Sequence, residues 1–129
     1  MIRKFHEAKA TGGPVRLWGT GTPRREFLHV DDMAAACLFL LENYDGDEHV
    51  NVGTGTDVSI AELADIIAKV VGYDGPIVWD RSKPDGTPRK LLDVKKINEL
   101  GWKASIPLDE GIASTYRWFL EHHDEARGL

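Results

Sequence analysis

The helix signal in the middle of the chain constrains the fold more than any other feature. Ser59 and Glu62 have the S-x-x-E spacing of a capping box, in which each side chain satisfies a backbone N–H at the start of a helix. The apolar residues that follow keep to one stripe at helical spacing, at positions 60, 63, 64, 67, 70 and 71. Gly72 supplies a left-handed stop. The sequence therefore predicts an amphipathic helix with one face turned to a core.

Shorter patterns typical of helices and of strands lie on both sides of this helix in the sequence. Ile2, Phe5 and Ala8 predict an opening helix, and because no capping residue precedes it, we expect the chain to begin inside a helix, as a truncated protein would. The other predicted elements are strands at 15–18, 26–30, 49–52 and 77–79, a helix capped by Asp31 or Asp32 with its apolar face on Met33, Cys37, Leu40 and Leu41 and its end near Tyr44, a short helix near 94–100, and a last helix on Ile112, Ala113, Tyr116, Phe119 and Leu120. This pattern predicts the α/β class: one domain over residues 1–129, with a few short strands, about five helices and a single core.

The composition is that of an ordinary soluble protein. Hydrophobic residues make up 42% and charged residues 29% of the chain, and the longest apolar stretch, 33–41, is far shorter than the roughly 20 residues that span a bilayer. The polar opening MIRKFHEAKA does not have the pattern of a signal peptide. A net charge of −5 argues against nucleic acid, because a phosphate backbone binds a surplus of Lys and Arg. We expect a cytoplasmic protein with no nucleic-acid or membrane partner.

Signals for catalysis and for cofactor binding are weak. The two G-x-G pairs, at 19–21 and 53–55, lack the third glycine of a dinucleotide fingerprint, so we interpret them as turns. The lone cysteine, Cys37, is predicted to be a buried and therefore inert core residue. None of the five histidines has a spacing that pairs it with Ser59 or Cys37, and the chain has no Cys/His spacing typical of zinc. The sequence predicts no catalytic, cofactor-binding or metal-binding residue here.

What remains is a set of cations and a ring around two loops. Trp18, Arg24 and Arg25 flank one Gly/Pro loop, while the segment 81–90 holds four cations against one acid, and Lys4 lies on the opening helix. Arginine matches phosphate oxygens with a planar fork, lysine adds a mobile point charge, and a tryptophan face offers a stacking surface. This combination suits a nucleotide diphosphate. The alternative is that these cations are only solvated, as cations in Pro/Gly loops usually are.

Four segments resemble a known family. WGTGTPRREFLHVDDMA, from Trp18 to Ala34, resembles the motif that connects the two halves of the substrate site in extended short-chain dehydrogenase/reductases. HVNVGTGTDVSIAELA, DRSKPDGTPRKL and ASTYRWFLEHH resemble the GDP-L-fucose synthases more than the UDP-glucose epimerases or hexose dehydratases. The resemblance covers essentially the whole chain.

This resemblance implies the C-terminal, sugar-nucleotide-binding part of such an enzyme. In that family an N-terminal Rossmann domain holds NADP(H), and GDP-4-keto-6-deoxy-D-mannose becomes GDP-L-fucose by 3,5-epimerisation and reduction of the 4-keto group. The hydride-transfer Ser and Tyr-x-x-x-Lys and the epimerising Cys and His then all lie upstream of Met1, and this chain has no Tyr-x-x-x-Lys. We expect this part to be inactive alone, to bind no NADP(H) itself, and to belong to a homodimer in the full-length enzyme.

The resemblance also assigns candidate substrate-binding residues. Arg25 and Lys90 resemble diphosphate ligands, Lys4 stands where the family uses a cation, and Trp18 matches the ring that faces the sugar nucleotide. Asp85 is a weaker candidate, with a turn-holding role as its alternative. We expect the neighbouring Arg24 to be solvated.

Two alternative functions remain open from the sequence. The chain could be part of another nucleotide-sugar epimerase or dehydratase of the same superfamily, or a stand-alone binding module without catalysis. In the leading interpretation, surfaces that pack on the Rossmann half are exposed, so we expect the isolated chain to self-associate.

Overall fold

A computed structural model describes residues 1–123, and these residues form five α-helices and five short strands. In chain order they are α1 (Ile2–Thr11), β1 (Val15–Trp18), β2 (Arg24–Arg25), α2 (Val30–Asn43), β3 (Val58–Ser59), α3 (Ile60–Val71), β4 (Ile77–Asp80), β5 (Arg89–Lys90), α4 (Lys95–Leu100) and α5 (Leu108–His122). The predicted α/β class with about five helices is confirmed.

Helix α3 is the centre of the larger apolar cluster. Its predicted capping box is confirmed: the Ser59 hydroxyl accepts the Glu62 N–H at 3.1 Å, and the Glu62 carboxylate accepts the Ser59 N–H at 2.7 Å. Gly72 ends the helix in the left-handed region at φ 71°. The buried stripe packs against α1 and α5 in a cluster made of Phe5, Ala8, Val15, Leu17, Leu63, Ala64, Ile67, Val71, Tyr73 and Ile112.

Strands β1 and β4 are where the sequence predicts them, and they pair in parallel with Val15 opposite Ile77 and Trp18 opposite Asp80. Tyr73 anchors the pair, since its hydroxyl accepts the Val15 N–H at 3.2 Å while its ring packs edge-on against Phe5 at 5.5 Å. Alternate residues of β1 are buried and exposed, so the side chain of Trp18 is turned outward.

The strand predicted at 26–30 is wrong, because the strand in this region is Arg24–Arg25 and belongs to a second sheet. Three two-residue strands pair in the order β3-β2-β5, with β2 antiparallel to β3 and parallel to β5, and the strand ends at Arg25. The chain leaves the sheet at Glu26, whose carboxylate accepts the backbone N–H groups of Gly55 and Leu92. These bonds place Glu26 between two loops, where it stabilises the turn instead of extending the ladder.

Helix α2 differs from its prediction at the cap and along its buried face. His29 is the N-cap and accepts the Asp31 N–H at 3.2 Å, so neither predicted aspartate has that role. The buried residues of α2 are Asp32 and Ala36, whereas the predicted face is largely outward: Met33 and Leu41 are exposed, and so is Cys37. The prediction of Cys37 as a buried core residue is therefore wrong.

The segment 49–52 is not a strand, although its alternating pattern predicts one. No strand of the described residues pairs with it; instead, the Asn51 amide donates to the Asp93 carbonyl at 3.1 Å. Val50 and Val52 pack against a second buried cluster of Ala36, Val94, Ile97 and Trp102. The described residues thus have two apolar clusters where the sequence predicts a single core.

Candidate functional site

A ladder of four cations lies at the junction of β2 and β5. The parallel register sets Arg24 opposite Arg89 and Arg25 opposite Lys90. Because successive residues of a strand point to opposite faces, Arg24 and Arg89 share one face, and Arg25 and Lys90 share the other. The two candidate diphosphate ligands, Arg25 and Lys90, are 65 positions apart in the sequence and lie side by side in the sheet.

 The ladder therefore joins two cations that are far apart in the sequence into one pair.

The two paired cations differ in how firmly they are held. Arg25 is half-buried, its Nη1 donates to the Arg24 carbonyl at 2.7 Å, and a Cβ at Gly86 would lie 3.1 Å from its Nη2. Lys90 is exposed. A fixed guanidinium beside a mobile ammonium is an arrangement that binds phosphate oxygens, because the arginine supplies a planar fork and the lysine a point charge.

Asp85 ties the two loops of the site together. Its carboxylate accepts the Thr20 N–H at 2.8 Å and the Thr20 hydroxyl at 2.6 Å, and these two hydrogen bonds hold the pKa of Asp85 below its ordinary value. A side chain at Gly19 would collide with this carboxylate. The contacts support the loop-holding role that the sequence gives as the alternative for Asp85, while contact with substrate stays a prediction.

Trp18 is the last residue of β1, and Lys4 lies on α1 with its side chain against the same strand. Trp18 is 70% exposed, and the Lys83 Nζ is 5.7 Å from its ring centroid. The Lys4 Nζ donates to the Arg16 carbonyl at 3.0 Å. The structure therefore brings Trp18 and Asp85 to adjoining loops, whereas the hydrogen bond of Lys4 is to β1 and not to the cation ladder.

Arg24 is held by two acids and is not merely solvated, which corrects the prediction. Its Nε donates to Asp57 Oδ1 at 2.8 Å, its Nη2 to the Asp57 carbonyl at 2.9 Å, and its Nη1 to Glu62 at 3.3 Å. Arg89 donates to the other carboxylate oxygen of Asp57. Sequence reasoning missed Asp57, because no local spacing links it to either arginine.

The two G-x-G segments form turns with specific neighbours. Gly19 and Gly21 have φ angles of 78° and 79°, and a Cβ at Gly21 would lie 2.7 Å from the Trp79 ring. Gly53 lies against Glu26, where a Cβ would be 2.5 Å from a carboxylate oxygen. A pyrophosphate cradle requires a helix N-terminus directly after the glycines. The two segments lead instead into β2 and β3.

Two concave surfaces adjoin these elements. A cavity of about 310 Å³ opens beside Arg25 and is lined by Arg25, Phe27, Thr54, Thr56, Val58, Ala104, Ser105, Ile106, Pro107 and Leu108. A larger groove of about 460 Å³ runs between α1 and α5, with mostly apolar walls that include Phe27, Leu63, Ile112, Trp118 and Phe119. The first combines the Arg25 guanidinium with three hydroxyls, so it can accept a polar ligand, whereas the walls of the second are mostly apolar.

The described residues show neither a helix capable of crossing a bilayer nor a cluster of side chains suited to a metal ion.

The chain is similar to known proteins in both sequence and fold. Residues 1–53 match the NAD dependent epimerase/dehydratase family. The fold is similar to a crystal structure of a GDP-L-fucose synthetase from Naegleria fowleri bound to NADP, with a TM-score of 0.92 at 29% identity over 98% of this chain and 40% of that chain. The described unit has the fold found in one part of such enzymes.

Sequence relatives narrow the class. The chain is 58% identical to the probable GDP-L-fucose synthase 1 of Oryza sativa subsp. japonica over 95% of this chain and 38% of that protein. It is 56% identical to the GDP-L-fucose synthase of Escherichia coli strain K12 over 99% of this chain and 43% of that protein. The resemblance predicted from the sequence is confirmed: the chain is similar to the C-terminal portion of GDP-L-fucose synthases and spans about two fifths of the length of these relatives.

Proposed function

We propose that this chain is the substrate-binding part of a GDP-L-fucose synthase, which converts GDP-4-keto-6-deoxy-D-mannose to GDP-L-fucose by 3,5-epimerisation and NADPH-dependent reduction of the 4-keto group. The observation that carries the proposal is the pairing of Arg25 with Lys90 on one face of the β2–β5 ladder. The identity of 58% to a probable GDP-L-fucose synthase supports the choice of a GDP-sugar as the ligand.

In this proposal the chain binds the diphosphate and leaves the reacting sugar to the rest of the enzyme. Arg25 binds phosphate oxygens with its fork, Lys90 approaches from the adjoining strand, and the exposed ring of Trp18 stacks against the ligand. Asp85 holds the two loops at a fixed separation through Thr20. Binding energy from the diphosphate then orients the keto sugar, although no atom of the diphosphate reacts.

Lys4 has a supporting role in the same proposal. Its ammonium group is fixed on the Arg16 carbonyl, two residues before Trp18 on the same strand. From this position it adds positive charge at the side of the site that faces α1. Its contribution to binding is therefore expected to be electrostatic and weaker than that of Arg25.

We assign the cofactor NADP(H) to the remainder of the polypeptide. The glycine turns of this chain precede strands, and their close neighbours are the Trp79 ring and the Glu26 carboxylate, so they leave little room for a pyrophosphate. NADP(H) supplies the hydride for the 4-keto reduction when bound. On this assignment the present chain is inactive alone, and the complete enzyme is a cytoplasmic homodimer.

Calorimetric titration of the chain with GDP and with UDP at low salt tests the proposal. We expect GDP to bind in preference to UDP, and Arg25→Ala to weaken GDP binding about tenfold to a hundredfold, since a charge-assisted hydrogen bond contributes about 1.5–3 kcal/mol. Arg117→Ala, which removes an exposed cation of α5, is the matched control and should leave the affinity unchanged.

Each other outcome has a defined meaning. Preference for UDP would favour a different nucleotide-sugar epimerase or dehydratase. Absence of binding to either nucleotide would contradict the proposal that this part of the protein holds the nucleotide by itself.

A further inference from the structure

We propose that Asp57 is a positioning residue of the nucleotide-diphosphate site, which acts by holding β2 and β5 in the register that places Arg25 beside Lys90. The inference rests on the proposed function for the identity of the ligand. It adds a residue that does not itself contact the diphosphate and that lies on the opposite face of the ladder.

Like charges repel each other across the cation ladder, and Asp57 offsets this repulsion. Arg24 faces Arg89 and Arg25 faces Lys90, so each cross-strand pair consists of like charges, which destabilise strand pairing. A two-residue pairing provides few backbone hydrogen bonds to offset that repulsion. An acid on one face is therefore needed to hold the strands together.

The geometry of Asp57 meets that need. Its Oδ1 accepts from Arg24 Nε at 2.8 Å, and its Oδ2 accepts from Arg89 Nε, so each carboxylate oxygen binds a different strand. The Asp57 side chain is only 4% exposed, while those of Arg24 and Arg89 are 42% and 61% exposed, because the two guanidinium groups cover the acid. The carboxylate bridges β2 and β5 from a position just before β3.

The bridge is continuous with the cap of α3. Arg24 also contacts Glu62, and the Glu62 carboxylate accepts the Ser59 N–H of the capping box. The two acids that contact the ladder arginines, Asp57 and Glu62, are thus on the Arg24 face. The result is a sorting of charge, in which the Arg24 face is neutralised and the Arg25 face keeps two cations for an anion.

A positioning role and a purely electrostatic role of Asp57 predict opposite changes in the affinity for an anion when Asp57 is neutralised. If Asp57 acted only through its charge, its removal would make the site more positive and tighten the binding of an anion. If Asp57 positions the cations, Asp57→Asn loosens the ladder and weakens binding even though the site gains positive charge. The direction of the change in affinity separates the two roles.

The experiment combines GDP titration with amide hydrogen exchange on the 129-residue chain. In Asp57→Asn we expect GDP and inorganic pyrophosphate to bind about tenfold more weakly. We also expect faster exchange of the Arg24 amide, which donates to the Pro88 carbonyl at 2.8 Å across the ladder, with no change in the amides of α5. Asp74→Asn, at an exposed position after α3, is the matched charge control.

The outcomes are distinct. Unchanged or tighter anion binding by Asp57→Asn, or unchanged exchange at Arg24, would overturn the inference. If the unsubstituted chain binds neither GDP nor pyrophosphate, the proposed function fails, and the exchange of the Arg24 amide still decides whether Asp57 holds the ladder. Faster exchange throughout α5 would overturn the inference in favour of a general role in stability.

Discussion

At the scale of single residues, a buried acid stabilises the fold through contacts that its sequence context does not indicate. Asp32 is 4% exposed and accepts the backbone N–H groups of Ser105 and Ile106 as well as the Ser105 hydroxyl. Burial raises the pKa of Asp32, but these hydrogen bonds outweigh that effect and hold the pKa below its ordinary value. The carboxylate therefore connects the start of α2 to the segment that leads into α5.

Replacing Asp32 by Asn should lower the free energy of unfolding at pH 7 by about 2–3 kcal/mol, because a charged acceptor of several hydrogen bonds is lost. A depressed pKa in the folded state contributes stability above the unfolded pKa and loses it as the pH falls through the folded value. The gap between the native chain and Asp32→Asn should therefore narrow below about pH 4. Urea unfolding at several pH values measures it.

Asp31→Asn is the control for this prediction, because Asp31 is the neighbouring acid and its side chain is 78% exposed. Its effect should stay within about 0.5 kcal/mol. A gap for Asp32→Asn that did not change between pH 7 and pH 3 would contradict the account of its ionisation.

Some residues of the candidate site could be predicted from the sequence, and others could not. Arg25, Lys90 and Trp18 could be selected from the sequence because their side chains have distinctive chemistry and match a family pattern. The partner of Arg24 could not, since Asp57 reaches both arginines only after β2, β3 and β5 have paired. A side chain's role in a network depends on tertiary contacts that no local spacing shows.

At the scale of elements, the signals that proved reliable are local ones. The capping box of α3 and the left-handed glycine at its end both involve residues within a few positions of one another. The strands β2, β3 and β5 have two residues each, too few for a period-two pattern to be visible. The strand predicted at 49–52 has the pattern but lacks a paired strand among the described residues.

The turn at Gly21 gives a prediction at this scale. Gly21→Ala should destabilise the chain by about 2–3 kcal/mol, because the residue has φ 79° and its new Cβ would lie 2.7 Å from the Trp79 ring. Gly13→Ala is the control, since the nearest contact of a Cβ there is 3.6 Å away. Equal urea midpoints for the two variants would contradict this account of the turn.

At the scale of the whole molecule, α2 presents an apolar stripe to solvent. Val30, Leu38 and Leu41 are 71%, 63% and 82% exposed, and Cys37 is exposed between them. The helix buries only a narrow face against the smaller cluster, and Cys37 lies outside that face. Its predicted burial is wrong because burial depends on how the whole chain packs around α2. An apolar stripe of this kind favours association.

The chain should therefore self-associate, as sedimentation velocity over a range of concentrations can measure. A variant with both Leu38→Lys and Leu41→Lys should sediment as a monomer without loss of stability, because both side chains are already exposed. Leu120→Lys, on α5, should leave the association unchanged. A native chain that remains monomeric at every concentration would contradict the prediction.

Heteronuclear NMR can show directly whether GDP binds at the cation ladder or in the apolar groove. We expect the amide signals of residues 18–25 and 81–90 to shift on addition of GDP, and these shifts to disappear in Arg25→Ala. Shifts confined to the apolar groove between α1 and α5, with the signals of the cation ladder unmoved, would contradict this expectation.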